Sequence, residues 1–362
     1  MRQFYLLLIS HFKEIIREPS VIFWGIVFPV LMAWGLGMAF TSKPGLTGTI
    51  VFIADGNNSS QAPAWLTSKI DLKKVTSKGK QYFEFNYSDS KTGKVKFGFL
   101  PKTWDEANTM LKKGETSLVI DLKNGEPAFF FDRMNQEAQL LFLQLTGLLE
   151  KGPTYFTEQT RHAQPLILAG TRYVDFLIPG LIGMGIMMSC MWGISYSLIE
   201  KRSKKLLRRM VATPMKKPLF LASLFTARFT MNLVEAIVLF IFAFYYFGMT
   251  VQGNIASLVV LLLAGNVAFS GLAVLISSRT ASPEVGNGLI NAIVTPMMVL
   301  SGVFFSYHSF PDWIIQIIRP LPLTMLNDSV RAVFNEGAGF AETAVPTLIL
   351  LLEGGIFFCY WT

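Results

Sequence analysis

Charge is what this chain has least of. Only 15% of its 362 residues are charged while 51% are hydrophobic, against about 25% charged in a soluble domain. So little polar surface excludes an ordinary water-soluble enzyme. The 31 Phe, 16 Met and 7 Trp exclude a disordered chain, which is poor in aromatics. Cysteine is as scarce. Cys190 and Cys359 cannot staple a fold of this size; both fall in apolar runs and read as small core residues. His11, His162 and His308 are scattered, with no carboxylate or Cys at metal-ligand spacing. There is no G-x-S-x-G elbow. There is no G-x-x-x-x-G-K-S/T loop either, because Gly79-Lys80 and Gly93-Lys94 lack the upstream glycine and the following hydroxyl. The chain is therefore expected not to be an enzyme, not to hydrolyse ATP by itself, and to bind no metal or cofactor of its own.

Long apolar runs are what it has instead. A bilayer core of about 30 Å needs about 20 apolar residues at about 1.5 Å per residue. Val21–Phe40, Phe176–Leu198, Leu219–Phe247, Ile255–Ser278, Val285–Phe305 and Thr343–Thr362 meet that length. They predict an α-helical polytopic membrane protein with six transmembrane helices. The first run is too long for a signal-peptide core and has no cleavage site after Phe40. The segment before it places Phe4, Leu7, Leu8, His11, Phe12, Ile15 and Ile16 on one side and Lys13, Glu14, Arg17 and Glu18 largely on the other. This predicts an amphipathic interfacial helix that Pro19 ends.

The formal net charge of +8 is unevenly placed. The loop Glu200–Pro218 holds eight basic residues, Lys201, Arg202, Lys204, Lys205, Arg208, Arg209, Lys216 and Lys217, whereas Gly248–Asn254 holds none. The positive-inside rule then puts both termini and that loop in the cytoplasm. Residues 41–173 carry 17 Lys+Arg and 13 Asp+Glu, a soluble balance, and are expected to be an inserted extracytoplasmic α/β domain. Strands are expected at Thr49–Ala54, Tyr82–Tyr87, Ser117–Asp121 and Ala128–Phe131, and helices at Ala62–Lys74, Thr103–Lys113 and Asn135–Leu149. Thr103 and Glu106 have capping-box spacing, and Gly152-Pro153 stops the third helix. The division read is 1–20 interfacial helix, 21–40 first span, 41–173 extracytoplasmic domain and 174–362 the other five spans. The last part includes the loop 200–218 and an outer re-entrant segment, 306–342, too apolar for a free loop and too short to cross and return.

Charges at membrane depth default to a functional reading. Arg228, Asn232 and Glu235 share one face of the third span. They read either as a polar lining for a substrate path or as a structural ion pair, with Arg228 snorkelling towards the headgroups. Glu353 is similar, with Arg228 one conceivable partner. Asn266, Asn287 and Asn291 read as hydrogen-bond glue between helices. The basic loop, interleaved with Leu206, Leu207, Met210 and Val211, reads as a short amphipathic helix. It either anchors on anionic lipid or docks into a cytoplasmic partner. Nucleic acid is not expected, since the dense basic cluster adjoins two membrane spans.

In this layout the chain resembles the ABC-2 type transporter permeases, membrane subunits that work with separate ATP-binding-cassette subunits. The resemblance runs over nearly the whole chain. It is carried by Arg17-Glu18-Pro19, Phe28-Pro29, Asp175-Phe176-Leu177-Ile178-Pro179-Gly180, and the loop from Glu200-Lys201-Arg202 to Ala212-Thr213-Pro214. Leu300-Ser301-Gly302-Val303-Phe304-Phe305, Phe310-Pro311-Asp312-Trp313, Pro320-Leu321-Pro322-Leu323-Thr324, Asp328 and Arg331 complete it. Lys205-Leu206-Leu207 stands where the family commonly has Gly-Thr-Leu. The large domain after span one places the chain with members linked to export of drugs and other amphiphiles. The chain ends at Trp361-Thr362 without the basic tail often seen in the family, which leaves a longer C-terminus open.

The resemblance implies the permease subunit of a bacterial inner-membrane exporter that moves a hydrophobic or amphiphilic substrate outward by alternating access. Its partners would be two ATP-binding subunits holding ATP and Mg, and a second permease as homodimer or heterodimer. A periplasmic adaptor or outer-membrane channel is a further conceivable partner. ATPase coupling would fall to Arg17, Glu18, Glu200, Lys204, Lys205, Arg208, Arg209, Thr213 and Pro214. Met297, Leu300, Val303 and Phe304 would form the interface and gate, the alternative for these four being core packing. A non-transporting sensor or scaffold, or a mechanical transducer whose outer domain binds a ligand, is the other reading.

Overall fold

The computed structural model describes residues 2–41, 47–53, 64–68, 70–77, 80–89, 93–123, 126–132, 135–152, 155–156, 170, 172–206, 217–280 and 282–360. The chain divides into two compact units, one of Met1–Thr41 with Leu168–Thr362 and one of Ser42–Ile167. The first begins with α1 (Arg2–Arg17), which stops ahead of Pro19, and the single turn α2 (Pro19–Ile22). A π-helical turn (Phe23–Val27) leads into α3 (Phe28–Thr41), with the Phe28 N–H donating to Phe23 O five residues back. Pro29 explains the widened turn. A proline lacks the N–H that would bond Gly25 O, and its ring would strike that carbonyl in a regular α-turn.

The second unit is a six-stranded mixed sheet. Its elements are β1 (Thr47–Ile53), α4 (Ala64–Thr67), β2 (Lys73–Ser77), β3 (Lys80–Asp89), β4 (Gly93–Lys102), α5 (Trp104–Lys112), β5 (Leu118–Lys123), β6 (Glu126–Phe130) and α6 (Gln136–Lys151). The order is β2-β3-β4-β1-β5-β6. The central β1 runs parallel to β4 and β5, with Ile50 opposite Phe99 and Leu118, and the outer pairs are antiparallel. Alternation along the strands sends Ile50, Phe52, Phe97, Phe99, Leu118 and Ile120 to the face that α6 covers with Leu141, Leu145 and Leu148. Val51 and Val119 go to the other face, under Ala107 of α5. α6 starts at Asn135, whose side chain accepts from Glu137 N at 3.0 Å and Ala138 N at 3.2 Å, and stops at Gly152 in a positive-φ conformation (66°).

Two expectations for this unit are corrected, and one strand was not expected. The helix expected over Ala62–Lys74 is the single turn α4, and Lys73–Ser77 is an edge strand, where a lysine-rich, β-branched stretch is at home. β4 went unforeseen because its glycines and lysines mask the alternation of Val95, Phe97 and Phe99. Thr103 is the N-cap of α5 but forms no capping box: its side chain makes no cap hydrogen bond, and Glu106 pairs instead with Lys102 Nζ at 3.2 Å.

The first unit resumes with α7 (Tyr173–Cys190), a second π-helical turn (Met191–Tyr196) and α8 (Ser197–Ser203) as one continuous rod. Next come α9 (Lys217–Phe247), α10 (Ile255–Arg279), α11 (Pro283–Leu300), α12 (Asp312–Ile318), α13 (Pro322–Arg331), a third π-turn (Ala332–Glu336) and α14 (Phe340–Cys359). α7 is buried on all sides, through Leu177, Ile178, Leu181, Ile182, Met187 and Cys190. α3 and α9, packed against it, and α14, packed against α10, turn large apolar side chains outward, among them Leu31, Trp34, Ile237, Ile241, Leu348 and Leu352. Cys359, expected in the core, is exposed in the last turn of α14.

Among the described residues five helical stretches are long and apolar enough to cross a membrane: Phe23–Phe40, Tyr173–Ser203, Pro218–Phe247, Ile255–Arg279 and Phe340–Cys359. α11 is helical where the fifth run was read, but Glu284, Asn287 and Asn291 lower its hydropathy and it is not among the five. α10 and α14 cross with backbones in contact, since a Cβ on Gly271 would lie 2.6 Å from Gly354 O and one on Gly354 2.7 Å from Val267 O. The 306–342 region forms α12, α13 and the third π-turn, and α13 is buried through Leu323, Leu326, Asn327 and Val330.

Candidate functional site

Two regions hold the polar residues singled out by sequence. The first lies where α1, α8 and the start of α9 meet. The buried face of α1 is His11 and Ile15; the His11 ring lies 5.4 Å from that of Phe220 on α9. Glu14 Oε2 lies 3.0 Å from Lys201 Nζ on α8 and 3.5 Å from His11 Nδ1. The hydrogen bond from His11, then the charge and hydrogen bond of Lys201, outweigh partial burial and hold the Glu14 carboxyl at about 2.

Beside this knot, Arg202 donates from Nη1 to Ser277 O (3.0 Å), Ser278 O (3.2 Å) and Thr280 O (3.4 Å). It thereby satisfies the last carbonyls of α10 and sets a cation at that helix's negative end. Lys204 bonds Glu200 Oε1 at 2.6 Å. Lys205 takes a left-handed conformation (φ 56°) that ends α8. Arg17 and Glu18 are exposed. Arg208, Arg209, Thr213 and Pro214 lie outside the described residues.

The second region is the polar face of α9. Each of its charged side chains lies against a glycine in a π-helical turn. A Cβ on Gly25 would overlap Glu235 Oε1, and a Cβ on Gly193 would overlap the Arg228 guanidinium. The widened turns and missing side chains make the room two charged groups need among apolar helices. Between them Asn232 is buried and donates from Nδ2 to Asn266 Oδ1 of α10 at 2.6 Å. Asn266 Nδ2 donates in turn to Leu262 O at 2.9 Å. Cys190 Sγ of α7 lies 3.7 Å from both Asn266 Oδ1 and Ser270 Oγ.

Among the described residues Arg228 and Glu235 form no ion pair, with each other or with Glu353, whose Oε2 is buried without a hydrogen-bond partner. Asn287 and Asn291 bond each other along the exposed side of α11 at 3.0 Å rather than joining two helices. Met297 and Val303 are buried within the chain's own core, and Leu300 and Phe304 are half-buried.

One cluster that sequence reasoning quoted only as a motif proves central to the 301–336 segment. Arg331 is buried, donates to Phe176 O at 3.2 Å and to Gly302 O, approaches Asp328 Oδ1 at 3.4 Å, and lies 3.6 Å above the Phe176 ring. Tyr307 donates its hydroxyl to Asp328 Oδ2 at 2.6 Å, and Asn327 Nδ2 donates to Ser301 O at 3.1 Å. One guanidinium thus ties the turn after α11 and the end of α13 to the first turns of α7. An Arg three residues after an Asp was the only signal available in advance.

A family model described as ABC-2 family transporter protein matches residues 19–361. A relative, ABC transporter G family member 20 of Dictyostelium discoideum, is 24% identical over 243 residues, which cover 63% of this chain and 32% of that protein. The chain thus spans about a third of that relative's length.

Proposed function

The chain belongs to the ABC-2 family of transporter membrane proteins, and on that premise we propose that it is the permease subunit of an ATP-driven exporter. In this reading it works with two separate ATP-binding subunits and a second permease, in a bacterial inner membrane. The α11 helix completes six spans, both termini and the 200–218 loop face the cytoplasm, and the sheet unit lies outside. The observation that carries the reading is the join of Glu14 to Lys201, which couples the amphipathic α1 to the end of the rod formed by α7 and α8. Beyond Lys201, Arg202 and Lys204, which bond within the chain, the adjoining loop carries Lys205, Arg208, Arg209, Lys216 and Lys217, charge suited to an acidic or dipolar groove on the ATPase. A push there would reach α7, against which α3, α9, α10 and α13 pack. Apolar helices with few fixed charges favour a hydrophobic or amphiphilic cargo.

The test is a complex reconstituted with a cognate ATP-binding subunit. Arg208→Glu with Arg209→Glu should abolish the stimulation of ATP hydrolysis by cargo while leaving membrane insertion intact. Unchanged stimulation sinks the coupling assignment. Cysteine-accessibility mapping at Asn287 and at the C-terminus counts the crossings, and a C-terminus outside the cell sinks the six-span topology.

A further inference from the structure

The Asn232–Asn266 pair has a direction. Leu262 O can only accept, so Asn266 must turn its Nδ2 to it and present Oδ1 to α9. Asn232 must then answer with Nδ2, which leaves its own Oδ1 as the free end. That oxygen is buried, in a residue 3% exposed, and has no partner among the described residues. Asn232 lines a small cavity together with Glu235, Gly25, Pro29, Ile182 and Gly185. The cavity has room for one water or an ion of that size.

Two acceptors, a carboxylate and a carboxamide oxygen, therefore share one water-sized cavity, and the described residues supply it with no donor and no ion pair. The other charged group on this face of α9 is Arg228, seven residues earlier and about 10 Å along the helix axis, with its guanidinium against Gly193. The Phe23–Thr41 stretch carries no titratable side chain, α7 between Phe176 and Cys190 only the Cys190 thiol, and α10 none before Arg279. A carboxylate at membrane depth with no cation in ion-pair contact is costly. Water alone would satisfy the lone pairs and leave the charge.

We propose that Glu235 and Asn232 form an intramembrane site for one monovalent cation, either a proton carried on the Glu235 carboxyl or a sodium-sized ion held between the two oxygens. In the first case the proton comes from bulk water, and the new O–H donates to Asn232 Oδ1 directly or through one water. In the second both oxygens ligate the ion. The inference goes beyond the transport reading and does not depend on it.

The full chain in nanodiscs tests it with two readouts independent of transport. Infrared difference spectra on acidification should show a protonated-carboxyl C=O band that shifts in D₂O and is lost in Glu235→Gln; this outcome assigns the proton. Alternatively, sodium chloride against equal choline chloride should raise the unfolding midpoint of the wild type and leave that of Glu235→Gln unmoved, which assigns the metal ion. Gly185→Ala puts a methyl 4.0 Å from Glu235 Oε2, an ordinary contact. It should fold and weaken whichever response the wild type shows several-fold, which covers the case in which Glu235→Gln fails to fold. A wild type with neither response overturns the proposal, as do responses that persist unchanged in both variants.

Discussion

Lys201 Nζ and Glu14 Oε2 lie 3.0 Å apart, so two helices 187 positions apart in sequence are held by one carboxylate that also meets His11. The folded-state pKa of Glu14 is depressed, from 4.5 to about 2. Its contribution is therefore fully present above pH 4.5 and disappears as pH falls towards 2. Because the Glu14 side chain is 42% exposed, solvent screening keeps the effect to about 0.5–1 kcal/mol. Glu14→Gln should unfold more readily at pH 7 by that amount, with the gap closing between pH 4.5 and 2. A gap independent of pH would contradict the assignment.

Gly25 and Gly193 should tolerate no side chain while their charged neighbours stand. Gly193→Val should cost about 1–3 kcal/mol, as overpacking does. Pairing it with Arg228→Ala should recover much of that loss in a double-mutant cycle on thermal unfolding. Full additivity would show that the clash lies elsewhere.

At the crossing of α10 and α14 the obstacle is backbone, which cannot swing aside. Gly354→Val should lower the unfolding midpoint sharply, while the adjoining Gly355→Ala, with nothing within 4 Å of its new methyl, should fall within about 0.5 kcal/mol of the wild type. Equal effects at the two positions would refute the close approach.

Arg331→Met keeps the volume and removes the donors. The carbonyls of Phe176 and Gly302 then lose their donor while Asp328 keeps the Tyr307 hydroxyl, at a cost of about 1–3 kcal/mol. Hydrogen exchange should rise first in 322–336, and Arg331→Lys, which keeps the charge but not the fork, should fall between. Protection unchanged in Arg331→Met would mean the segment is held by its apolar contacts alone.

In the sheet unit, Phe97 is fully buried beneath α6 and Phe97→Ala should cost about 3–5 kcal/mol. Limited proteolysis should then cut within 42–167 before it cuts the helical unit. Simultaneous cleavage of both would show that they unfold as one.

Much of this fold could be read in advance because its signals are local. Apolar runs place the long helices to within a few residues, and the shared face of Arg228, Asn232 and Glu235 follows from helical spacing alone. What could not be read depends on partners distant in sequence. Nothing near Gly25 or Gly193 announces a π-turn, although Pro29 hints at one, and each glycine makes sense only once α9 is beside it. The direction of the Asn232 amide is set by Leu262 O on another helix. β4 escaped because Lys96 and Gly98, between Val95, Phe97 and Phe99, carry no apolar side chain and its lysines and glycines dilute the pattern of those three.

The position of β1 has a consequence for synthesis. It is the first strand of its sheet to be made, yet Ile50 pairs with Phe99, 49 positions later, and Leu118, 68 positions later. The strand at the centre of the sheet must wait, as an unpaired Thr-Ile-Val-Phe-Ile stretch, until most of the unit has been made. Closing loops of that length is slow, and an exposed apolar strand invites wrong pairing meanwhile. The rate at which ribosomes deliver residues 93–123 therefore sets how long this chain stays vulnerable to aggregation.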